Sequence, residues 1–284
     1  MKRRCGGGQR SKEGFVRRTT AVAVLICWLA AASPAQARPP LPKSIASIGD
    51  SITRATNVCC WYGDHPSRSW STGDNASDPI RSHYERLLSL QPAIQGRNYN
   101  DSRSGAKMAD APAQAARAVS QGAHYVTILM GANDVCTSSP STMTSTQSFR
   151  TNFEATLETL DSGLPGRSRI FVSSIPNVYQ LWEILHGNWL ARTVWEAANI
   201  CQSMLDKDRT EAERQAVSAR EAAFNEILRD VCSRYSRCKF DDYAVYNFEF
   251  TTDMVSKLDY FHPSTAGQAT LARVTWNASW WPAS

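Results

Sequence analysis

Apolar positions along the chain change their period several times, and the changes mark out its elements. Residues 44–49 form a short, mostly apolar run that stops at Gly49-Asp50-Ser51, the pattern of a buried strand ending in a turn. Over 78–90 the spacing becomes helical, with Ile80, Tyr84, Leu87 and Leu88 on one side. A strand is expected near 95–100, and the Ala-rich stretch 107–121 reads as a helix. HYVTILM, over 124–130, is the clearest strand and runs straight into Gly131. A helix over 149–160 and a buried strand over 169–174 follow. Residues 177–206 are less regular and rich in aromatics. A long helix then opens at the capping box Thr210-x-x-Glu213, with Val217, Phe224, Ile227, Leu228 and Val231 on one face. The last strand is expected over 240–246, and a closing helix after His262-Pro263.

Strands alternating with helices imply an α/β fold whose parallel sheet is covered on both sides. Sites in such sheets lie beyond the carboxyl ends of the strands. Ser51 follows the first strand and residues 131–134 follow the third, so both fall where a site belongs.

Composition changes the picture mainly at the amino terminus. Residues 1–37 have a basic start, an apolar stretch over 21–32 and a closing Ala35-Gln36-Ala37, the pattern of a cleaved export signal. The apolar stretch is shorter than the about 20 residues a membrane span needs, so a secreted chain without stable membrane insertion is expected. The leader holds seven of the 31 Lys and Arg and one of the 26 acids, leaving 24 against 25 and a formal net charge of −1 over 38–284. The overall +5 is therefore no nucleic-acid footprint, which needs clustered Lys and Arg in the folded part. The remaining 247 residues suit one domain, 38–284.

Six cysteines lie beyond the leader, an even count that favours disulfides in an exported protein. Cys232 and Cys238 are close in sequence, while Cys136 follows the third expected strand and Cys201 lies in the segment after the fourth, which puts both at the same end of the sheet, so these two bridges are expected. Cys59 and Cys60 then remain, either free or joined in a strained bond between neighbours. Together with His65 they fall short of the four ligands of structural zinc, and no metal or other cofactor is expected.

Four short segments carry the candidate chemistry: SIGDSIT around Ser51, SRSGAK around Gly105, MGANDV around Asn133, and DYFHPS with Asp259 and His262. A serine hydroxyl needs a neighbouring base, which His262 can supply, and Asp259 three residues earlier can hold the imidazole in the required tautomer. Attack on a carbonyl creates an oxyanion, for which the Ser51 N–H, the Gly105 backbone and the Asn133 amide are candidate donors. Asp134 is an alternative acid whose place in its block looks structural. The set suits cleavage of an ester. No G-x-S-x-G elbow occurs, which speaks against an ordinary α/β-hydrolase.

In these four ordered segments the chain resembles the SGNH, or GDSL, hydrolase superfamily of esterases and lipases, with GDSI in place of GDSL. The resemblance runs from Ser51 to His262. It implies a flavodoxin-like three-layer α/β/α sandwich with a five-stranded parallel sheet. It implies Ser51, His262 and Asp259 as the triad and Ser51, Gly105 and Asn133 as the oxyanion hole. WYGDHPSRSWSTG and RNYNDSRSGAKMAD look closest to secreted actinobacterial members, although His65 stands where such members place a cysteine. The expected activity is hydrolysis of lipid-like carboxylic esters through an acyl-enzyme, the ester substrate being the only partner implied. A carbohydrate acetylesterase or an acyltransferase uses the same residues, and a secreted binding protein is the reading outside catalysis. Trp61, Tyr62, Trp70, Trp182, Trp189 and Trp195 are candidates to line an acyl pocket.

Overall fold

The computed structural model describes residues 13–14 and 38–282, and the leader expected over 1–37 otherwise lies outside the described residues. Five strands form one sheet: β1 (Ile45–Gly49), β2 (Asn98–Asn100), β3 (Tyr125–Leu129), β4 (Arg169–Val172) and β5 (Cys238–Phe240). Every pairing is parallel, in the order β2-β1-β3-β4-β5. Ile45 stands opposite Asn98 and Tyr125, and Ile170 opposite Val126 and Cys238. This is the flavodoxin-like order, and its direction reverses between β1 and β3.

The helices are α1 (His83–Leu90), α2 (Ala111–Ser120), α3 (Ala132–Val135), α4 (Thr146–Gly163), α5 (Val178–Leu185), α6 (Trp189–Ala197), α7 (Gln202–Leu205), α8 (Glu211–Ser233) and α9 (Thr265–Ala278). Alternation along the strands sorts them into two layers. Ala46, Ile48, Val126, Ile128, Ile170 and Val172 share one buried cluster with Ala115 of α2, Phe153 of α4 and Phe224 of α8. Ile45, Tyr125 and Phe171 share the other with Tyr84 and Leu87 of α1 and Trp276 of α9. Polar groups within this second layer are paired. Ser71 and Thr127 hydroxyls lie 2.6 Å apart, and the His83 ring bridges Tyr125 Oη at 3.1 Å and Thr275 Oγ1 at 2.8 Å. Burial, with a smaller push from Arg86, drives the His83 pKa down to about 3, so the ring is neutral.

Two expected elements differ from what the pattern suggested. The last strand ends at Phe240, because Asp242 and Tyr243 take left-handed φ values of 55° and 62° and turn the chain out of the sheet. Residues 177–206 are mostly helical, in α5, α6 and α7. The Asn177 side chain accepts from the N–H groups of Tyr179 and Gln180, and that of Asn188 from Leu190 and Ala191, so two asparagine caps start two short amphipathic helices. Disulfides join Cys136 to Cys201 and Cys232 to Cys238, the partners named from the sequence. The first closes a loop of 65 residues, worth about 4 kcal/mol in the loop-entropy model. Cys59 and Cys60 are unbridged.

Candidate active site

Strand β1 is fastened at its carboxyl end before the chain turns. Gly49 exchanges two hydrogen bonds with the Gln114 side chain of α2, its N–H donating at 2.8 Å and its carbonyl accepting at 3.0 Å. A Cβ here would meet Thr53 and the Leu129 carbonyl at under 3 Å, so only glycine lets strand and turn approach so closely. Ser51 follows, largely buried, in a turn closed by Arg54 N–H to Asp50 O and Thr56 N–H to Ser51 O, both 3.0 Å.

Asp50 beside it is fully buried. Its Oδ1 accepts the Ile52 N–H at 2.9 Å, and its Oδ2 has no hydrogen-bond partner among the described residues. Burial pushes this carboxyl up to about 7, against the smaller opposing pull of the Ile52 N–H and the charge of His262. Asn57, at the end of the same turn, donates to Asp259, so the turn after β1 lies beside the loop that carries His262.

The second and third motifs meet each other. Gly105 takes φ +76° with open space where a Cβ would stand, leaving its backbone accessible. Asn133, in α3, donates from Nδ2 to the carbonyl of Ala106 at 3.0 Å. An amide nitrogen carries two hydrogens, so one remains for another acceptor. Asp134 is buried and accepts the Met108 N–H at 2.8 Å, tying α3 to the segment ahead of α2.

The last loop is the most fully bonded part of the site. His262 Nδ1 and Asp259 Oδ2 are 2.6 Å apart, while Asp259 Oδ1 accepts the backbone N–H groups of Phe261 at 2.9 Å and His262 at 3.0 Å. Asn57 Nδ2 donates to the same Oδ2 at 2.6 Å. Burial pushes the Asp259 carboxyl up, but the hydrogen bond and charge of His262, with the Asn57 donation, outweigh it and hold it below the ordinary value. His262 Nε2 is buried and has no hydrogen-bond partner among the described residues, Ser51 included. The structure thus joins Asp259 to His262, and the Gly105–Ala106 peptide region to Asn133. It shows no hydrogen bond between Ser51 and His262.

An apolar cavity of about 80 Å³ borders all these segments except the second. Ile52 lines it beside Ser51, Ala132 beside Asn133, and Phe261 and Pro263 on either side of His262. The remaining wall comes largely from Val178, Leu181 and Ile184 of α5, with Phe250, Val255 and Leu271. None of the six aromatics expected at an acyl pocket lines it. Trp70 and Trp195 are core residues, while Trp61, Tyr62 and Trp189 are 67%, 69% and 66% exposed. Trp182 lies under the Arg214 guanidinium, 3.5 Å from its ring centre, a cation–π contact. The apolar wall has no motif, so only the cavity itself reveals it. Asn57 likewise has no local signal, since its partner lies 202 residues away.

No group of three or more His, Cys, Asp or Glu that could hold a metal ion occurs among the described residues. No helix among them is long and apolar enough to cross a membrane.

A model of the GDSL-like lipase/acylhydrolase family matches residues 45–274. Among solved structures the chain is similar to an alpha/beta hydrolase enzyme from the metagenome of Lake Arreo, Spain, at a TM-score of 0.53 and 16% identity over 83% of this chain and 94% of that one. It is similar to an acetyl xylan esterase at a TM-score of 0.50 and 15% identity over 83% and 98%. At such identities the likeness speaks for the fold alone. No curated protein matches the chain. The family match covers β1 through most of α9 and so includes all four motif segments, and the chain belongs to the GDSL-like lipase/acylhydrolase family as a carboxylic ester hydrolase.

Proposed function

We propose that this protein is a serine esterase acting on esters of lipid-like acyl groups, with Ser51 as nucleophile and His262 as base. The observation that carries this reading is the Asp259–His262 hydrogen bond of 2.6 Å, with His262 Nε2 buried and unengaged beside an apolar cavity. Bonding at Nδ1 leaves Nε2 as the ring's free acceptor. Ser51 Oγ attacks the ester carbonyl carbon as Nε2 takes the hydroxyl proton. The carbonyl oxygen becomes an oxyanion held by the Ser51 and Gly105 N–H groups and the second Asn133 amide hydrogen. Collapse expels the alcohol, which takes the proton from the imidazolium and leaves an acyl-serine. A water, deprotonated by His262, attacks the acyl-serine and releases the carboxylic acid.

The cavity favours an extended acyl chain over an acetyl group, because its wall is built largely of apolar side chains on several segments, Ile52, Leu181, Ile184 and Leu271 among them. Each methylene that enters contributes about 0.8 kcal/mol, roughly fourfold in kcat/KM. We also propose export, with 1–37 as the leader removed; the pattern of that segment and two disulfides in the folded part support it.

The test is labelling with a fluorophosphonate and hydrolysis of p-nitrophenyl esters of graded acyl length, alongside acetylated xylan. Wild-type protein is expected to be labelled at Ser51 and to favour chains of several carbons. Ser51→Ala should lose both labelling and hydrolysis with its circular dichroism unchanged. Full activity in that variant overturns the mechanism, and a preference for acetylated xylan overturns the substrate class.

A further inference from the structure

The turn that begins at Ser51 ends at Asn57, and Asn57 reaches across to the loop of Asp259. Its orientation is over-determined by its own bonds. The backbone adopts φ +53°, a left-handed conformation that asparagine tolerates better than most residues. The Asn57 N–H donates to Gly63 O at 2.8 Å, and the Gly63 N–H donates back to Asn57 Oδ1 at 2.8 Å. Because Oδ1 must face that N–H, Nδ2 must face the other way, and the amide cannot be flipped without losing both contacts. Nδ2 then sits 2.6 Å from Asp259 Oδ2. A second tie runs in the opposite direction, from Ser256 Oγ to the Asn57 carbonyl. Tyr62, in the same segment, donates from Oη to the Leu258 carbonyl at 2.9 Å.

Asp259 Oδ2 therefore receives two donors, His262 Nδ1 from its own loop and Asn57 Nδ2 from the Ser51 turn. The backbone N–H groups of Phe261 and His262 hold Oδ1, but without Asn57 the only donor to Oδ2 would be the imidazole that this oxygen has to orient. Asn57, from outside the loop, fixes Oδ2 independently of the ring.

We propose that Asn57 is a positioning residue for the reaction: it holds Asp259 so that His262 Nε2 is presented to the segment that carries Ser51. The proposal rests on the reading of Ser51, His262 and Asp259 given above. Asn57 touches neither substrate nor base and acts only through the carboxylate. Its place at the end of the Ser51 turn gives that turn and the Asp259–His262 loop a common anchor.

Two substitutions separate this role from a purely structural one. Asn57→Asp keeps the side-chain shape, tolerates the left-handed backbone and keeps an oxygen for the Gly63 N–H. It loses the donor and sets a carboxylate against Asp259. Asn57→Gly keeps the backbone conformation and removes the whole side chain. If Asn57 positions Asp259, kcat on p-nitrophenyl esters falls about 10–100-fold in Asn57→Gly and further in Asn57→Asp, with KM little changed. The rate of fluorophosphonate labelling falls in step. If Asn57 only braces its own loop, the order reverses and Asn57→Asp is the more active, which overturns the proposal. A double-mutant cycle gives a second check that does not depend on Asn57→Asp folding. In an Asp259→Ala background, Asn57→Gly should cost less than about twofold, and the same loss as in wild type overturns the proposal. Wild-type activity in both Asn57 variants, with Ser51→Ala inactive, overturns this inference and leaves the mechanism standing; activity in Ser51→Ala overturns the mechanism itself.

Discussion

Two aspartates, Asp259 and Asp50, each belong to a segment that carries a residue of the proposed machinery, and they are in opposite states. Asp259 is buried yet held below the ordinary carboxyl value, with both oxygens taken by donors. Asp50 is fully buried, has one backbone donor, leaves Oδ2 without a partner among the described residues, and is pushed up to about 7. Hydrogen bonds alone do not make the difference. Asp241 accepts from Ser174 Oγ and from the N–H groups of Tyr243 and Val245, and burial still pushes it upward. What sets Asp259 apart is a direct bond to an imidazole that can carry charge, reinforced by Asn57. A buried carboxylate stays ionised where an ionisable partner answers it and drifts toward neutrality where only neutral donors do.

The contrast can be broken by removing either acid. Asp259→Asn should lower kcat by on the order of 10⁴, since an amide there favours the wrong imidazole tautomer, while thermal stability changes little. A loss confined to KM, measured with p-nitrophenyl esters, would place Asp259 in substrate binding. Asn133→Ala removes a donor from the substrate side and leaves the His262 side intact. The expected loss is 10²–10³ in kcat with little change in KM. An equal loss in labelling and in hydrolysis would fit a donor used in every oxyanion-forming step.

Asp50→Asn should act mainly on stability, and its sign follows from the raised value. A group whose folded pKa lies above its unfolded one binds more protons when folded between about 4 and 7. Stability from Asp50 is therefore fully present below about pH 4 and is lost as pH rises to about 7, by on the order of 4 kcal/mol. Urea melts of wild type and Asp50→Asn across pH 4–8 should show that loss flattened in the variant. Parallel curves would mean that Asp50 is ionised in the folded protein, as Asp259 is.

The sheet was legible in the chain chiefly through β1 and β3, short apolar runs that reach a glycine turn at Gly49 and Gly131. The last strand was displaced because the apolar positions Phe240, Ala244 and Val245 continue past it, and Val245 serves the core from a turn. Helices α5 and α6 were hidden by an aromatic content that suggested a pocket, although Asn177 and Asn188 stood at their starts as caps. Tryptophan proved a poor guide to the cavity. A large ring is as readily spent on the core, as at Trp70, or left outside, as at Trp61. The motif segments are local in sequence, so their positions at strand ends could be read directly. The bonds of Asn57 and the wall supplied by α5 depend on which distant segments meet, and no periodicity encodes that.

The contact between Asn57 and Asp259 spans 202 positions, and this separation orders events during synthesis. The proposed nucleophile is made early and its proposed base almost last, after every strand of the sheet has been translated. A nascent chain halted anywhere before residue 259 carries a serine with no imidazole or carboxylate to act on it. It also lacks the Phe261 and Leu271 walls of the cavity. On the proposed mechanism, hydrolytic competence is thus acquired in one step near the end of translation, and clipping the final loop would return the molecule to that incomplete condition.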